Sequence, residues 1–291
     1  MPVVFALALA ASACGGGGEP GDAVPTSTTG IVVTVPPLDP TCVAAEPVAT
    51  GTSFETIESG GVERSYLRYV PTSYEGVAMP VVVDLHDSGS TALEQATISG
   101  LSQTAEADGF VTLTPQATGD PPAWDHRGDS ADVAFVADLL DQAQRDFCFE
   151  PQRVYVAGLG DGARFAGRLA CDLSDRIAAV GAVGDVAYPV ACRQERPVPL
   201  LGLFGSAATP SLDPPKALIR WADRYGCSPE PRSMAPAADV VHGTFRGCED
   251  GAAVEFYELA GAEAAWPNSA TVGGGDLLWA FFVDHPICPT C

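Results

Sequence analysis

The sequence predicts an α/β protein, a mostly parallel central sheet with helices on both faces. Three observations carry this. Apolar runs and amphipathic stretches alternate along the chain from residue 62 onward. The run Pro80-Val81-Val82-Val83-Asp84-Leu85-His86 is apolar without alternation, the pattern of a strand buried on both faces. A third stretch, from Arg153 to Asp172, joins an apolar run to an amphipathic helix through a turn containing Gly158, Gly160 and Gly162.

Taken in order, the chain opens with a short apolar run over residues 1–13 that ends in small residues. It has the length of a signal-peptide core, too short to span a bilayer. No basic residue precedes Arg64, so either the natural start lies upstream or the leader is atypical. Ala11-Ser12-Ala13-Cys14 resembles a bacterial lipobox, which implies lipidation at Cys14, with plain secretion as the alternative. Residues 14–41 are rich in Gly, Pro and Thr and read as a tether, leaving 42–291 as a single domain.

Within that domain, residues 62–70 alternate apolar and polar side chains, which predicts an antiparallel edge strand. A central strand over 80–86 and a helix over about 91–107 follow. Residues 110–114 make the next strand, and Asp129-Ser130-Ala131-Asp132 offers caps for a helix whose apolar face includes Val133, Phe135, Val136, Leu139 and Leu140. Further strands are expected at 153–157, 177–183 and 198–204, and residues 240–245 pair beside 254–259. Helices are expected at 161–172, 218–225 and 275–284. An α/β-hydrolase architecture fits this series.

Eight cysteines besides Cys14 form an even set, which implies disulfides in an exported chain. Apart from Cys288 and Cys291, the pairs nearest in sequence are Cys171 with Cys192 and Cys227 with Cys248, and these are the expected bridges. Cys288-Pro289-Thr290-Cys291 reads as structural rather than redox, because no helix start follows to activate a thiolate. The net charge of −22 repels phosphate backbones and anionic headgroups, which excludes nucleic-acid binding. Membrane contact is then expected only through the N-terminal lipid. No cofactor motif or metal-ligand spacing is present, and a monomer is expected.

The stretch from Arg153 to Phe165 has the strand–turn–helix context of a nucleophile elbow, G-x-S-x-G, but its frame is Gly158-x-Gly160-x-Gly162. Other blocks occur in a consistent order: Arg64-Ser65-Tyr66-Leu67-Arg68-Tyr69-Val70-Pro71, Asp132-Val133-Ala134-Phe135-Val136, Arg168-Leu169-Ala170-Cys171 and Ser174-Asp175-Arg176-Ile177. Arg196-Pro197-Val198-Pro199-Leu200 and Trp266-Pro267 complete the set. Together they resemble the secreted polyhydroxybutyrate depolymerase and feruloyl esterase group of α/β-hydrolases over about residues 52–285. The resemblance implies carboxylic ester hydrolysis by a Ser, Asp and His triad. Matched position by position, it places the serine at Gly160, the aspartate at Ala208 and the histidine at Ala264. None of the three carries a functional side chain.

Relatives of this kind resemble Leu-His-Gly at the oxyanion loop, where this chain has Leu85-His86-Asp87-Ser88-Gly89. A carboxylate at Asp87 opposes developing negative charge if it faces the site; the expectation is a turn-capping side chain pointing away. Asp161 is expected to cap the following helix and His126 to be an ordinary loop histidine. Candidate cleft residues are His86, Asp87, Ser88, Trp124, His126, Asp161 and Trp266, with the two tryptophans as walls for an aryl, sugar or polyester ligand. The expected function is that of a catalytically silent, surface-tethered homologue of an ester hydrolase. The alternative is an active esterase with a non-standard catalytic set.

Overall fold

The structure, a computed structural model, describes residues 48–206, 214–260, 266–267 and 272–287. The leader, Cys14, the tether, Ala208, Ala264 and the Cys288 to Cys291 pair lie outside the described residues.

Ten strands form one sheet: β1 (Gly51–Ser59), β2 (Val62–Val70), β3 (Met79–Leu85), β4 (Val111–Pro115), β5 (Phe149–Leu159), β6 (Ala179–Val183), β7 (Leu200–Ser206), β8 (Arg232–Ala237), β9 (Val240–Phe245) and β10 (Val254–Ala260). Their spatial order is β1-β2-β4-β3-β5-β6-β7-β10-β9-β8. From β4 to β10 every pairing is parallel, and both flanks are antiparallel. The helices are α1 (Ala92–Ser99), α2 (Leu101–Asp108), α3 (Ala131–Asp146), α4 (Asp161–Asp172), α5 (Lys216–Arg224) and α6 (Gly274–Val283).

Burial on both faces explains the continuous apolar run of β3. Val81, Val83 and Leu85 point to the layer containing Phe135, Leu139, Phe165, Leu169 and Trp221, from α3, α4 and α5. Val82 points the other way, to the layer of Leu101, Tyr155, Leu278 and Phe282, from α2, β5 and α6. The strand order reverses around β3: the chain passes through α1 and α2 to β4 on one side, then through α3 to β5 on the other. Crevices open at the carboxyl ends of strands at such a switch point. The β3–α1 loop and the β5–α4 turn therefore meet at one place.

Some elements differ from expectation. Residues 62–70 are not the sheet edge, because β1 pairs outside β2 along its whole length. The sequence of β1, with Thr52, Ser53, Glu55, Thr56 and Glu58, is too polar to announce a strand. The helix expected over 91–107 is two helices broken at Gly100, whose φ of 62° ends α1 and begins α2. Ser130 caps α3 by accepting the Val133 N–H. The edge strand β8 has no counterpart in the sequence pattern; most of its side chains are exposed and carry no periodic apolar signal.

Cys171–Cys192 and Cys227–Cys248 are disulfides, each spanning 21 residues, and Cys148 is disulfide-bonded as well. This pattern fits an exported protein. The Cys171–Cys192 bridge ties α4 to the loop after β6, which Arg168 also holds by donating to the Val190 carbonyl. Replacing both Cys171 and Cys192 with alanine is expected to lower the unfolding free energy by about 2–4 kcal/mol in urea titrations, with the sheet retained. No helix among the described residues is long and apolar enough to cross a membrane.

Candidate active site

The β5–α4 turn is built by close approach. At Gly160, φ is 53° and ψ is −110°, a conformation that side chains rarely tolerate. Its N–H donates to the Val183 carbonyl at 3.0 Å, and its carbonyl accepts the Arg164 N–H at 3.1 Å, so the turn is fixed to β6 and to the helix that follows. Gly162 lies so close to the end of β3 that an added Cβ would overlap the Leu85 carbonyl. The helix start is thereby pressed against the β3–α1 loop.

That loop contributes Asp87, and here the structure corrects the expectation. The Asp87 carboxylate does not point away from the turn; its Oδ1 accepts the Asp161 N–H at 2.7 Å and the Ser88 N–H at 2.8 Å. A Cβ placed on Gly160 would overlap the same carboxylate. The apex where the resemblance implies a serine thus holds no side chain of its own and is filled by the carboxylate of Asp87.

His86 sets that loop. It is fully buried rather than part of an open cleft. Its Nε2 accepts the Ala117 N–H at 3.0 Å, so Nδ1 carries the proton and donates to the Asp87 carbonyl at 2.7 Å. Burial lowers its pKa, while hydrogen bonding to the Asp87 carbonyl and nearby carboxylates partly offset that effect. The neutral ring is a structural strut.

Trp124 is likewise not an open cleft wall. Only 4% of it is exposed; it stacks on Phe165 with centroids 4.9 Å apart and donates from Nε1 to the His86 carbonyl at 2.8 Å. Trp266 is 3% exposed and belongs to the layer of Leu278 and Phe282. Both indoles are core because apolar area that size is most stable out of water.

Asp161 is not the helix cap. Gly160 occupies the cap position and Asp161 is the first helical residue. Its Oδ2 accepts the Trp124 N–H at 3.0 Å and its Oδ1 takes Nε2 of His126 at 2.7 Å. Partial burial pushes the Asp161 pKa up, but hydrogen bonds from His126 and Trp124 outweigh it and hold the carboxyl below its usual range. The half-exposed His126 is therefore no ordinary loop histidine, since it forms an Asp–His pair at the elbow. Their sequence separation of 35 hides this pair from sequence reasoning.

Another group missed by sequence supports the arrangement. Asp132 makes a buried ion pair with Arg64 at 2.8 Å and accepts the Asp125 N–H at 2.8 Å, fixing the loop that presents Trp124 and His126. Ser88 is exposed beside the elbow and Ser206 ends β7; neither is hydrogen-bonded to a histidine. Among the described residues no group of three or more His, Cys, Asp or Glu side chains is placed to hold a metal ion.

Strand order, switch point and elbow together define the α/β-hydrolase fold. Solved structures agree: an acetyl xylan esterase from Aspergillus awamori matches with a TM-score of 0.63 at 15% identity, over 79% of this chain and 99% of that one. A thermostable esterase matches with a TM-score of 0.53 at 14% identity, over 81% of this chain and 63% of that one. In sequence the chain is similar to esterases. A protein of Nocardia uniformis subsp. tsuyamanensis named as an esterase, NocK, is 30% identical over 221 residues, 70% of this chain and 62% of that protein. A bifunctional acetylxylan esterase/xylanase of Neocallimastix patriciarum is 22% identical over 218 residues, 72% of this chain and 32% of that protein. The chain spans less than two thirds of the length of these curated relatives. No protein-family model matches it.

Proposed function

We propose that the protein is a catalytically silent homologue of a carboxylic ester hydrolase, related to the polyhydroxybutyrate depolymerase and feruloyl esterase type. In this reading it is held at the cell surface through Cys14 and binds a polyester, hydroxycinnamate or glycan. One observation carries the reading of silence: at Gly160 the elbow has no nucleophile, and the Asp87 carboxylate fills the space a serine side chain needs. Loss of a whole triad costs on the order of 10⁶ in kcat and leaves roughly 10³ to 10⁴ over water, a remainder that depends on a free oxyanion hole. With a carboxylate already on the Asp161 N–H, that remainder is lost too.

The ligand half of the proposal is tested by calorimetry with xylan oligosaccharides, hydroxycinnamates and hydroxybutyrate oligomers. A saturable heat with one of these classes is expected; a flat response to all would remove the ligand and leave a structural role.

The His126–Asp161 pair favours a second reading, an active esterase in which His126, oriented by a carboxylate, activates water. Ester hydrolysis that is abolished by His126→Ala yet indifferent to Gly160→Ser would establish it in place of silence.

A further inference from the structure

Resting on the reading of the elbow as silent, we infer that the oxyanion hole is preserved and held shut from within, Asp87 being an autoinhibitory contact that occupies it as a tethered anion. An oxyanion hole at such an elbow consists of the N–H after the nucleophile position and a second N–H from the loop after the central strand. Here these are the N–H groups of Asp161 and Ser88. Both converge on one oxygen, Asp87 Oδ1, at 2.7 and 2.8 Å. The donors are intact and their acceptor belongs to the chain itself.

The loop that makes the contact is braced from the core. The Asp87 carbonyl is gripped by Nδ1–H of the fully buried His86 and accepts the Ser90 N–H at 3.1 Å. Gly89 donates to the Pro122 carbonyl at 2.7 Å, joining this loop to the one that carries Trp124 and His126. The Asp161 side chain is turned away, to the Trp124 N–H and His126. At Gly160 the missing side chain leaves the volume that the carboxylate takes. An external anion at the elbow, whether the carboxylate of a product or the oxyanion of a reacting ester, competes with a group held there at high effective concentration.

Amide resonances of Ser88 and Asp161 followed during titration with sodium acetate, in the full exported chain, test the contact without turnover. In the wild type both resonances are expected to stay in place. In Asp87→Gly and Asp87→Ala, either of which vacates the hole, they are expected to move saturably, with acetate affinity at least ~10-fold above wild type. In Asp87→Asn, whose amide still fills the space, they are expected to remain still. Saturable movement in the wild type, or none in the folded Gly or Ala variants, would overturn the contact. Movement in Asp87→Asn equal to that in Asp87→Gly would reduce it to charge repulsion and overturn occupancy. Hydrolysis by the wild type, in contrast, would sink the reading of silence without bearing on these shifts.

Discussion

Gly160→Ser alone is expected to leave ester hydrolysis at the wild-type level, and the same serine is expected to yield turnover only when Asp87→Gly, Ala208→Asp and Ala264→His accompany it. The order of requirement follows from geometry. A serine at residue 160 meets the Asp87 carboxylate before it meets substrate, and the φ of 53° makes any side chain there strained unless the surroundings hold it. Removing Asp87 frees the volume and both N–H donors. The aspartate and histidine positions are those implied by the resemblance, and they supply the base and its orienting carboxylate. The fourfold variant is expected to hydrolyse 4-nitrophenyl acetate at least ~10³-fold faster than wild type, since a complete triad contributes on the order of 10⁶. Its triple counterpart retaining Asp87 is expected to stay at the wild-type level. Equal activity with and without Asp87 would contradict the blocked elbow.

Stability is expected to fall as pH rises from about 4 to about 7, and Asp84→Asn is expected to remove most of that slope. Asp84 lies fully inside β3, with Gln95 Nε2 donating to Oδ1 at 2.7 Å and Ser99 Oγ at 2.6 Å from Oδ2. Burial pushes its pKa from 3.8 up to about 7, against the lowering effect of the Ser99 and Gln95 hydrogen bonds. The folded chain then keeps a proton that the unfolded chain releases above pH 4. The unfolded state binds fewer protons across this window, so the unfolding free energy declines with pH and levels off above about 7. The cost at the plateau is on the order of a few kcal/mol. Asparagine preserves an acceptor for Gln95 and offers Ser99 a donor, as the protonated acid does. Urea midpoints at pH 4.5 and pH 8 are expected to diverge for wild type and to lie closer together for Asp84→Asn. A wild type whose stability rises over that range would refute the assignment to Asp84.

The sheet was legible because its signals are local. The run from Pro80 to His86 and the helix from Asp161 to Asp172 declare their burial by local apolar pattern alone, and the Cys171–Cys192 and Cys227–Cys248 disulfides coincide with the expected pairs. β1 and β8 were not legible, since antiparallel flank strands exposed on one or both sides need no apolar run. At the site, the residue types of Gly160 and Asp87 raised the question of lost chemistry, but the direction of the Asp87 side chain depends on His86, whose own position comes from Ala117, 31 residues away. The same holds for His126, which acquires a carboxylate partner only when the β5–α4 turn is packed beside its loop. For Trp124 and Trp266, composition does not distinguish an aromatic facing a cleft from one beneath it; burial assigns both to the core.

The central claim, that the elbow is silent because its apex lacks a nucleophile and its donors are occupied, is tested most directly by hydrolysis assays on the wild-type chain. Substrates spanning the ester classes of the proposed function, 4-nitrophenyl acetate, acetylated xylan, methyl ferulate and hydroxybutyrate oligomers, are incubated with purified protein at micromolar concentration beside a His126→Ala control. The account predicts rates equal to the buffer blank for both proteins on every substrate. Saturable turnover by the wild type that disappears in His126→Ala would contradict it.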